Sequence, residues 1–190
     1  DLKRPVGELL EQMEVFRKEG KILYYGCSNW TTSRMIEADA YAKSHGITGF
    51  VANQNLYNIA AQHMKPFEDD TMVCVDEEAI RFYQTSNNTP MPYFSICSGF
   101  FHHLAAKGDD AVKNSCYYTP ENLKLARGLQ TLCKKYGCSI TQALLGFFYV
   151  QAYPIVPLVG FSKISQLEDA LNSVNIPFTQ EDYVEIGGIQ

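Results

Sequence analysis

The sequence predicts a parallel α/β fold, four strand–helix units behind a leading helix, and three observations carry that reading. Short apolar runs alternate with segments of helical periodicity. None of the runs keeps the strict polar–apolar alternation of a half-exposed antiparallel strand, which fits burial on both faces. Each run closes on Gly, Gln or Ser, and the next strand follows only after a stretch long enough to hold a helix, as parallel pairing requires.

The elements follow in order. Between Pro5 and Arg17, Val6, Leu9, Leu10, Met13 and Phe16 recur on one helical face; Glu8, Glu11, Glu14 and Lys18 fall on the other, with Val15 out of pattern. Pro5 suits a first-turn position and Gly20 the position just past the helix end. The first strand is expected at residues 21–26. A helix from near Thr32, carrying Met35, Ile36, Ala38, Tyr41 and Ala42, closes at Gly46, and a second strand is expected at residues 49–54. After an irregular stretch, residues 76–84 read as a short helix and residues 91–95 as a third strand. Residues 100–118 read as a long connection, a kind that often carries function.

Thr119-Pro120-Glu121 supplies a cap, a first-turn proline and a first-turn acid for a helix to Tyr136, ended by Gly137. Ser139 and Gln142 form a capping box for a helix to about Ala152. Residues 155–160 are the fourth expected strand, with Pro157 inside it. Ser165 and Glu168 then read as a capping box for residues 166–174, and Thr179 caps a last helix.

Composition limits the functions available. The 190 residues suffice for one domain with a sizeable core, 46% of them are hydrophobic and 19% charged, and the formal net charge is −5. An acidic chain lacks the basic face that phosphate neutralisation demands, so no nucleic-acid partner is expected. No apolar run approaches the ~20 residues of a membrane helix, so no membrane partner is expected either. Six cysteines (27, 74, 97, 116, 133 and 138) show no CxxC pair and read as reduced thiols in a cytoplasmic protein; no metal site is expected, since His102-His103 lacks a nearby cysteine partner. The chain opens on Asp1 and passes at once into a helical pattern, which leads us to expect a preceding segment.

Ligands of parallel α/β folds sit at the carboxyl ends of the strands. Those positions here are polar: Cys27, Ser28, Asn29 and Trp30; Asn53, Gln54 and Asn55; Tyr93 to Gly99; and Gly160, Phe161, Ser162 and Lys163. Ser28, Asn29 and Gln54 together offer donors and acceptors to a planar primary amide, and Tyr93 offers a flat ring for stacking. Gly160 to Lys163 lead into a helix start that favours phosphate. Together these describe an extended nicotinamide dinucleotide. Each has a plainer alternative: a Ser28-Asn29 turn capping the next helix, an internally satisfied Gln54, a core Tyr93, a solvated helix start at Ser162-Lys163.

The run Gly20-Lys21-Ile22-Leu23-Tyr24-Tyr25-Gly26-Cys27-Ser28-Asn29-Trp30 resembles the aldo-keto reductase signature GKI-x-x-x-G-x-SN-[FW]. The likeness continues at residues 54–58, 93–101, 121–122, 139–145 and 160–171, in order and at family spacing. The Ser-Asn-Trp form, followed by Tyr41 to Gly46, is most similar to a bacterial branch. The resemblance implies a TIM-type (β/α)8 barrel that uses NADP(H) to interconvert carbonyls and alcohols, with a small carbonyl substrate. It implies that Ser28, Asn29 and Gln54 hold the nicotinamide carboxamide while Tyr93 stacks on its ring. Ser95 through Ser98 approach the pyrophosphate, and Gly160, Ser162, Lys163 and Gln166 meet the adenosine phosphate end. Trp30, Tyr57 and residues 100–118 become candidate substrate-pocket walls, although Trp30 equally suits a core-facing position. Where the family usually shows Glu-Asn, this chain has Asp169-Ala170.

Four strand–helix units are half of such a barrel, which needs eight strands and ~250 residues. The family's catalytic Asp, Tyr, Lys and His come from the other half. Residues 1–8 resemble the segment just beyond the strand that carries the His. The expectation is therefore a C-terminal half-barrel spanning residues 1–190, with no catalytic residue of its own and inactive alone. Tyr24, Lys21 and His45 do not stand at strand carboxyl ends and are not read into those roles. Two open sheet edges lead us to expect self-association or pairing with a missing N-terminal half. A non-catalytic dinucleotide-binding or self-associating module is the alternative.

Overall fold

The computed structural model describes residues 3–67 and 69–189, so of the opening segment Asp1 and Leu2 lie outside the described residues. Its order is α1 (Val6–Lys18), β1 (Cys27–Ser28), α2 (Thr32–His45), β2 (Ala52–Gln54), α3 (Glu77–Thr85), β3 (Thr89–Pro90), α4 (Phe100–Lys107), α5 (Pro120–Tyr136), α6 (Ile140–Tyr149), α7 (Ile164–Leu171) and α8 (Gln180–Glu185). The three strands form one parallel sheet in the order β1-β2-β3, with Cys27 opposite Asn53, Ser28 opposite Gln54, Ala52 opposite Thr89 and Asn53 opposite Pro90.

The strands are shorter than expected, and the first two are displaced toward their carboxyl ends. Pairing of the first begins only where the Tyr25 carbonyl accepts from Val51 N–H at 3.0 Å. Leu23 and Tyr24 stay 79% and 70% exposed, so the apolar run 21–24 is approach, not strand. β3 precedes the expected 91–95, yet its ladder continues there, with Met91 and Tyr93 N–H donating to Asn53 and Asn55 carbonyls, both at 3.0 Å. The fourth expected strand is not one among the described residues, although it lies beside β3. Val156 and Leu158 donate to the Pro90 and Pro92 carbonyls at 3.1 and 2.8 Å. Pro157 falls between those donors, where its missing N–H removes nothing from the ladder.

Capping explains the helix ends. Thr31, Asp76, Thr119, Ser139 and Thr179 each accept a backbone N–H from the first turn that follows, and α2 and α5 stop at left-handed Gly46 and Gly137. Two helix expectations are corrected. Residues 100–118 are not a plain loop: α4 fills the first part, followed by a 3-10 turn at Asp109–Ala111. α7 starts two residues earlier than the Ser165–Glu168 box proposed, because Gln166 Oε1 accepts from the N–H groups of Ser162 and Lys163, both at 3.1 Å.

A smaller core joins α1, α2 and the sheet through Val6, Leu10, Tyr25, Met35, Ala38, Ala42 and Phe50. Beneath it the buried Glu14 carboxylate takes hydrogen bonds from Arg17 (2.8 Å), Tyr25 Oη and Thr48 N–H (both 3.2 Å). A larger core, with Leu129, Leu144, Phe147 and Tyr183 at its centre, packs α3 to α6 and α8 behind β2 and β3. Both cores lie behind the sheet and leave its carboxyl rim free to form a site.

Candidate functional site

The rim gathers Ser28, Asn29, Gln54 and Tyr93 into one hydrogen-bonded group. Ser28 Oγ and Asn29 N–H both donate to the Gln54 carbonyl at 3.0 Å. Tyr93 Oη donates to Asn29 Oδ1 at 2.8 Å, and Val73 N–H adds a second bond to that oxygen at 3.2 Å. Asn29 Nδ2 makes no hydrogen bond among the described residues. Gln54 and Ser28 line an open cavity of about 470 Å³ with Gly26, Cys27, Ala52 and Met91. Burial pushes both the Cys27 thiol and the Tyr25 phenol that border it up to about 12, and burial also raises the Tyr93 phenol of the rim group.

Backbone strain concentrates here. Among the described residues, the non-glycine positions with positive φ are Asn29 (56°), Phe94 (56°), Cys97 (53°) and Ser98 (50°), all following β1 or β3. Left-handed geometry costs roughly 1–2 kcal/mol for a residue with a Cβ, less for Asn, and such strain gathers at ligand sites. A buried carboxamide scaffold supports it. Asn53 exchanges bonds with the Trp30 backbone (Nδ2 to O, 2.9 Å), Asn55 donates to the same carbonyl at 3.3 Å, and Asn58 Nδ2 reaches the Phe94 carbonyl at 3.0 Å.

The strained turn leads to a second, larger cleft of about 640 Å³. Ile96, Gly99, His102, His103 and Thr141 line it together with Gly160, Phe161, Ser162 and Gln166. Met91 at the first cavity and Ile96 at the second are five residues apart on one segment, so these two lining residues lie within roughly 18 Å of each other. Ser98, Gly160, Ser162, Lys163 and Gln166 are exposed, and the Gln166 carbonyl ties Ser162 and Lys163 into the start of α7.

Three expected site residues sit elsewhere in the architecture. Ser95 is buried and donates to the Pro92 carbonyl at 2.9 Å, which closes the turn and leaves its hydroxyl turned inward. Tyr57 is a core residue, 3% exposed, edge-on to Phe147 and Phe148 at 5.4 and 6.0 Å. It borders a different, smaller cavity between α3, α6 and the C-terminal segment. Trp30 packs edge-on to Phe50 at 4.8 Å with the Arg34 guanidinium 4.3 Å above its ring, and so takes the core-facing alternative. Of the residues set aside as catalytic candidates, Tyr24 borders the first cavity, whereas Lys21 pairs with Glu19 at 2.7 Å and His45 stacks on Tyr41 at 3.9 Å. The sequence reading missed Met91 and Thr141 as lining residues; the histidine pair falls within residues 100–118, which it offered as pocket walls. Among the described residues no three His, Cys, Asp or Glu side chains converge as a metal site.

Known proteins with this pattern agree in kind. The model of the aldo/keto reductase family matches residues 1–190. A protein named "probable aryl-alcohol dehydrogenase" from Saccharomyces cerevisiae is 24% identical over 97% of this chain and 56% of its own length. An aryl-alcohol dehydrogenase of Pestalotiopsis microspora is 22% identical over 98% of this chain and 46% of its own. A norsolorinic acid reductase B of Dothistroma septosporum is 21% identical over 98% and 46%. The chain thus spans about half the length of the curated relatives it matches. The crystal structure of a thermostable aldo-keto reductase bound to the inhibitor epalrestat superposes with a TM-score of 0.69 at 20% identity, over 98% of this chain and 55% of that one. That likeness gives the fold: parallel α/β, of the TIM-barrel type. On the family match across its whole length, the chain belongs to the aldo/keto reductase family.

Proposed function

We propose that this chain carries the dinucleotide-binding face of an NADP(H)-dependent oxidoreductase that interconverts carbonyls and alcohols. The observation that carries the reading is the hydrogen-bonded Ser28–Asn29–Gln54–Tyr93 group, of which Ser28 and Gln54 line a cavity, together with a second cleft at two helix starts. The residues fit the group they would hold. The Gln54 carboxamide has no hydrogen-bond partner among the described residues and lines the cavity, and Asn29 Nδ2 is an uncommitted donor, so a primary amide finds both an acceptor and donors. When bound, the nicotinamide ring supplies a hydride.

The chain's own residues then have positioning tasks. Ser28, Asn29 and Gln54 orient the carboxamide, and Tyr93, fixed by its bond to Asn29, presents a ring face to the nicotinamide. The Cys97 and Gly99 N–H groups are used inside the turn, so the free N–H groups offered to phosphate are those of Ser98 and of the first turn of α4 beyond Phe100, while Ser162 and Lys163 add a hydroxyl and a charge at the start of α7. The proton donor comes from outside these residues, so the chain alone is expected to reduce no carbonyl. The names of its relatives make an aryl aldehyde with NADPH the first substrate to try. Saturable NADPH binding that Gln54→Ala weakens, measured by cofactor fluorescence, is the expected result. Absence of binding at high cofactor excess would end the reading.

The same reading extends to partners. Exposed Leu23 and Tyr24 on the approach to β1, and Val156 and Val159 (49% and 38% exposed) on the segment beside β3, mark the two open flanks of the sheet. Ile164, Leu167, Leu171 and Val174 add an exposed apolar stripe, 77%, 44%, 62% and 66% exposed, along α7 and the turn that follows it. We read these surfaces as those of a half-barrel covered by a second copy or by an N-terminal half. They also favour the alternative of a self-associating, non-catalytic module. A stable monomer by size exclusion with light scattering would refute both. The six free cysteines suit a reducing, cytoplasmic setting.

A further inference from the structure

α4 opens with a histidine pair for which none of the positioning tasks above has a use. Both line the larger cleft, yet their settings differ. His102 is fastened: Nε2 lies 2.9 Å from Thr141 Oγ1, Nδ1 is buried without a partner, and burial, then its neighbour His103, pushes its pKa down against the pull of Asp169. It is a neutral, fixed ring. His103 is exposed, and its imidazole edge (Cδ2 and Nε2) lies 3.5 and 3.6 Å from where a side chain on Gly99 would project. That puts a movable imidazole beside the strained turn, at the mouth of the cleft.

We propose that His103 is a proton-coupled phosphate ligand: its imidazole takes one proton from solvent as a phosphate group enters the cleft, and the imidazolium N–H donates to a phosphate oxygen. The proposal rests on the dinucleotide reading of the same cleft. The coupling follows from the charges around the ring. An arriving phosphate brings negative charge beside an imidazole that sits near the positive end of α4, in the cleft that Ser162 lines from the α7 start, and so favours the protonated ring. On the other elements packed here, α6 carries no charged residue, and the α5 residues against α4 (Ala126, Leu129 and Gln130) are uncharged. Asp169 on α7 accepts from Ser139 Oγ at 2.7 Å and acts on His102. His102 and the distant Lys107 complete the set on α4 itself.

The test is calorimetric titration of the whole chain with NADPH, at one pH in two buffers of different ionisation enthalpy and then across pH 6 to 8.5, for the wild type and His103→Gln. The cofactor's phosphate monoester also titrates, near pH 6, so the difference between the two proteins is the readout. The wild type is expected to take up protons on binding and to weaken as pH rises. His103→Gln is expected to bind on the order of tenfold more weakly at low pH, with the difference closing at high pH. Equal proton uptake and an equal pH slope in both proteins overturn the role of His103 and leave the dinucleotide reading standing. No heat of binding in either protein, with circular dichroism unchanged, overturns both.

Discussion

Asn29 holds the rim together in two separable ways, and substitution distinguishes them. Its side-chain oxygen accepts from Tyr93 Oη and Val73 N–H at 2.8 and 3.2 Å, and its backbone sits at φ 56°. Asn29→Gly keeps the backbone comfortable and removes the acceptor, leaving a part-buried phenol unpaired, for a loss of about 1–2 kcal/mol. Asn29→Ala removes the acceptor and adds the left-handed penalty of a Cβ, about 1–2 kcal/mol more. In a domain of this size each kcal/mol shifts Tm by about 3 °C, so the two variants should melt roughly 3–6 and 6–12 °C below the wild type. Asn29→Asp keeps the acceptor and tolerates the backbone, so its Tm should fall by no more than about 2 °C. It loses the Nδ2 donor, however, and should bind NADPH on the order of tenfold more weakly. Urea and thermal melts by circular dichroism, with a parallel cofactor titration, read all three. Equal stabilities for the Gly and Ala variants would refute the strain argument, and full NADPH affinity in the Asp variant would refute the amide-binding role.

Other outcomes follow from the same structure. Two buried carboxylates sit well below their ordinary range. Glu14 is held at about 2 from 4.5, chiefly by the Arg17 hydrogen bond. Asp182, which burial pushes upward, is brought down to about 2 from 3.8 by bonds from Lys135, Thr179 N–H and Tyr136. Folded values below unfolded ones mean stability that is fully present above about pH 4.5 and lost as pH falls toward 2; urea midpoints measured against pH should show that decline. Glu14→Gln should remove part of it and cost about 2 kcal/mol at neutral pH, because Arg17 and Tyr25 lose a charged acceptor. Gly146→Ala should destabilise by about 1–3 kcal/mol, since a methyl there meets the Phe178 ring and Tyr183 Oη inside the larger core; an unchanged melt would contradict that packing. Leu144→Ala, fully buried in the same core, should cost about 2–5 kcal/mol in a urea melt.

What the sequence made legible was mostly local. Thr119, Ser139 and Thr179 cap helices because a hydroxyl and the next few N–H groups need no tertiary partner to meet. The rim residues were legible too, as polar side chains closing apolar runs. Strand limits were not, since pairing depends on the neighbour: the run 21–24 looks like strand but finds no partner until Tyr25. α4 was missed because FFHHLAAK opens on a left-handed glycine that supplies no side-chain cap. Tyr57 and Ser95 look like site residues in a motif, yet their burial is decided by Phe147, Phe148 and a turn carbonyl distant in logic from the motif itself. The α7 start was misplaced because Gln166 reaches back to Lys163, one of several capping patterns the same residues permit.

The side-chain amide signals of Asn29 and Gln54 in an ¹H–¹⁵N spectrum, followed while NADP⁺ is titrated into the chain, address the rim directly. Both should shift saturably, together with the backbone signals of residues 99–103 and 162–163, while buried Asn122 on α5 stays still. Amide signals at positions 29 and 54 that do not move, or shifts confined to the α5–α8 groove around Lys124 and Arg127, would contradict a nucleotide held across the ends of these strands.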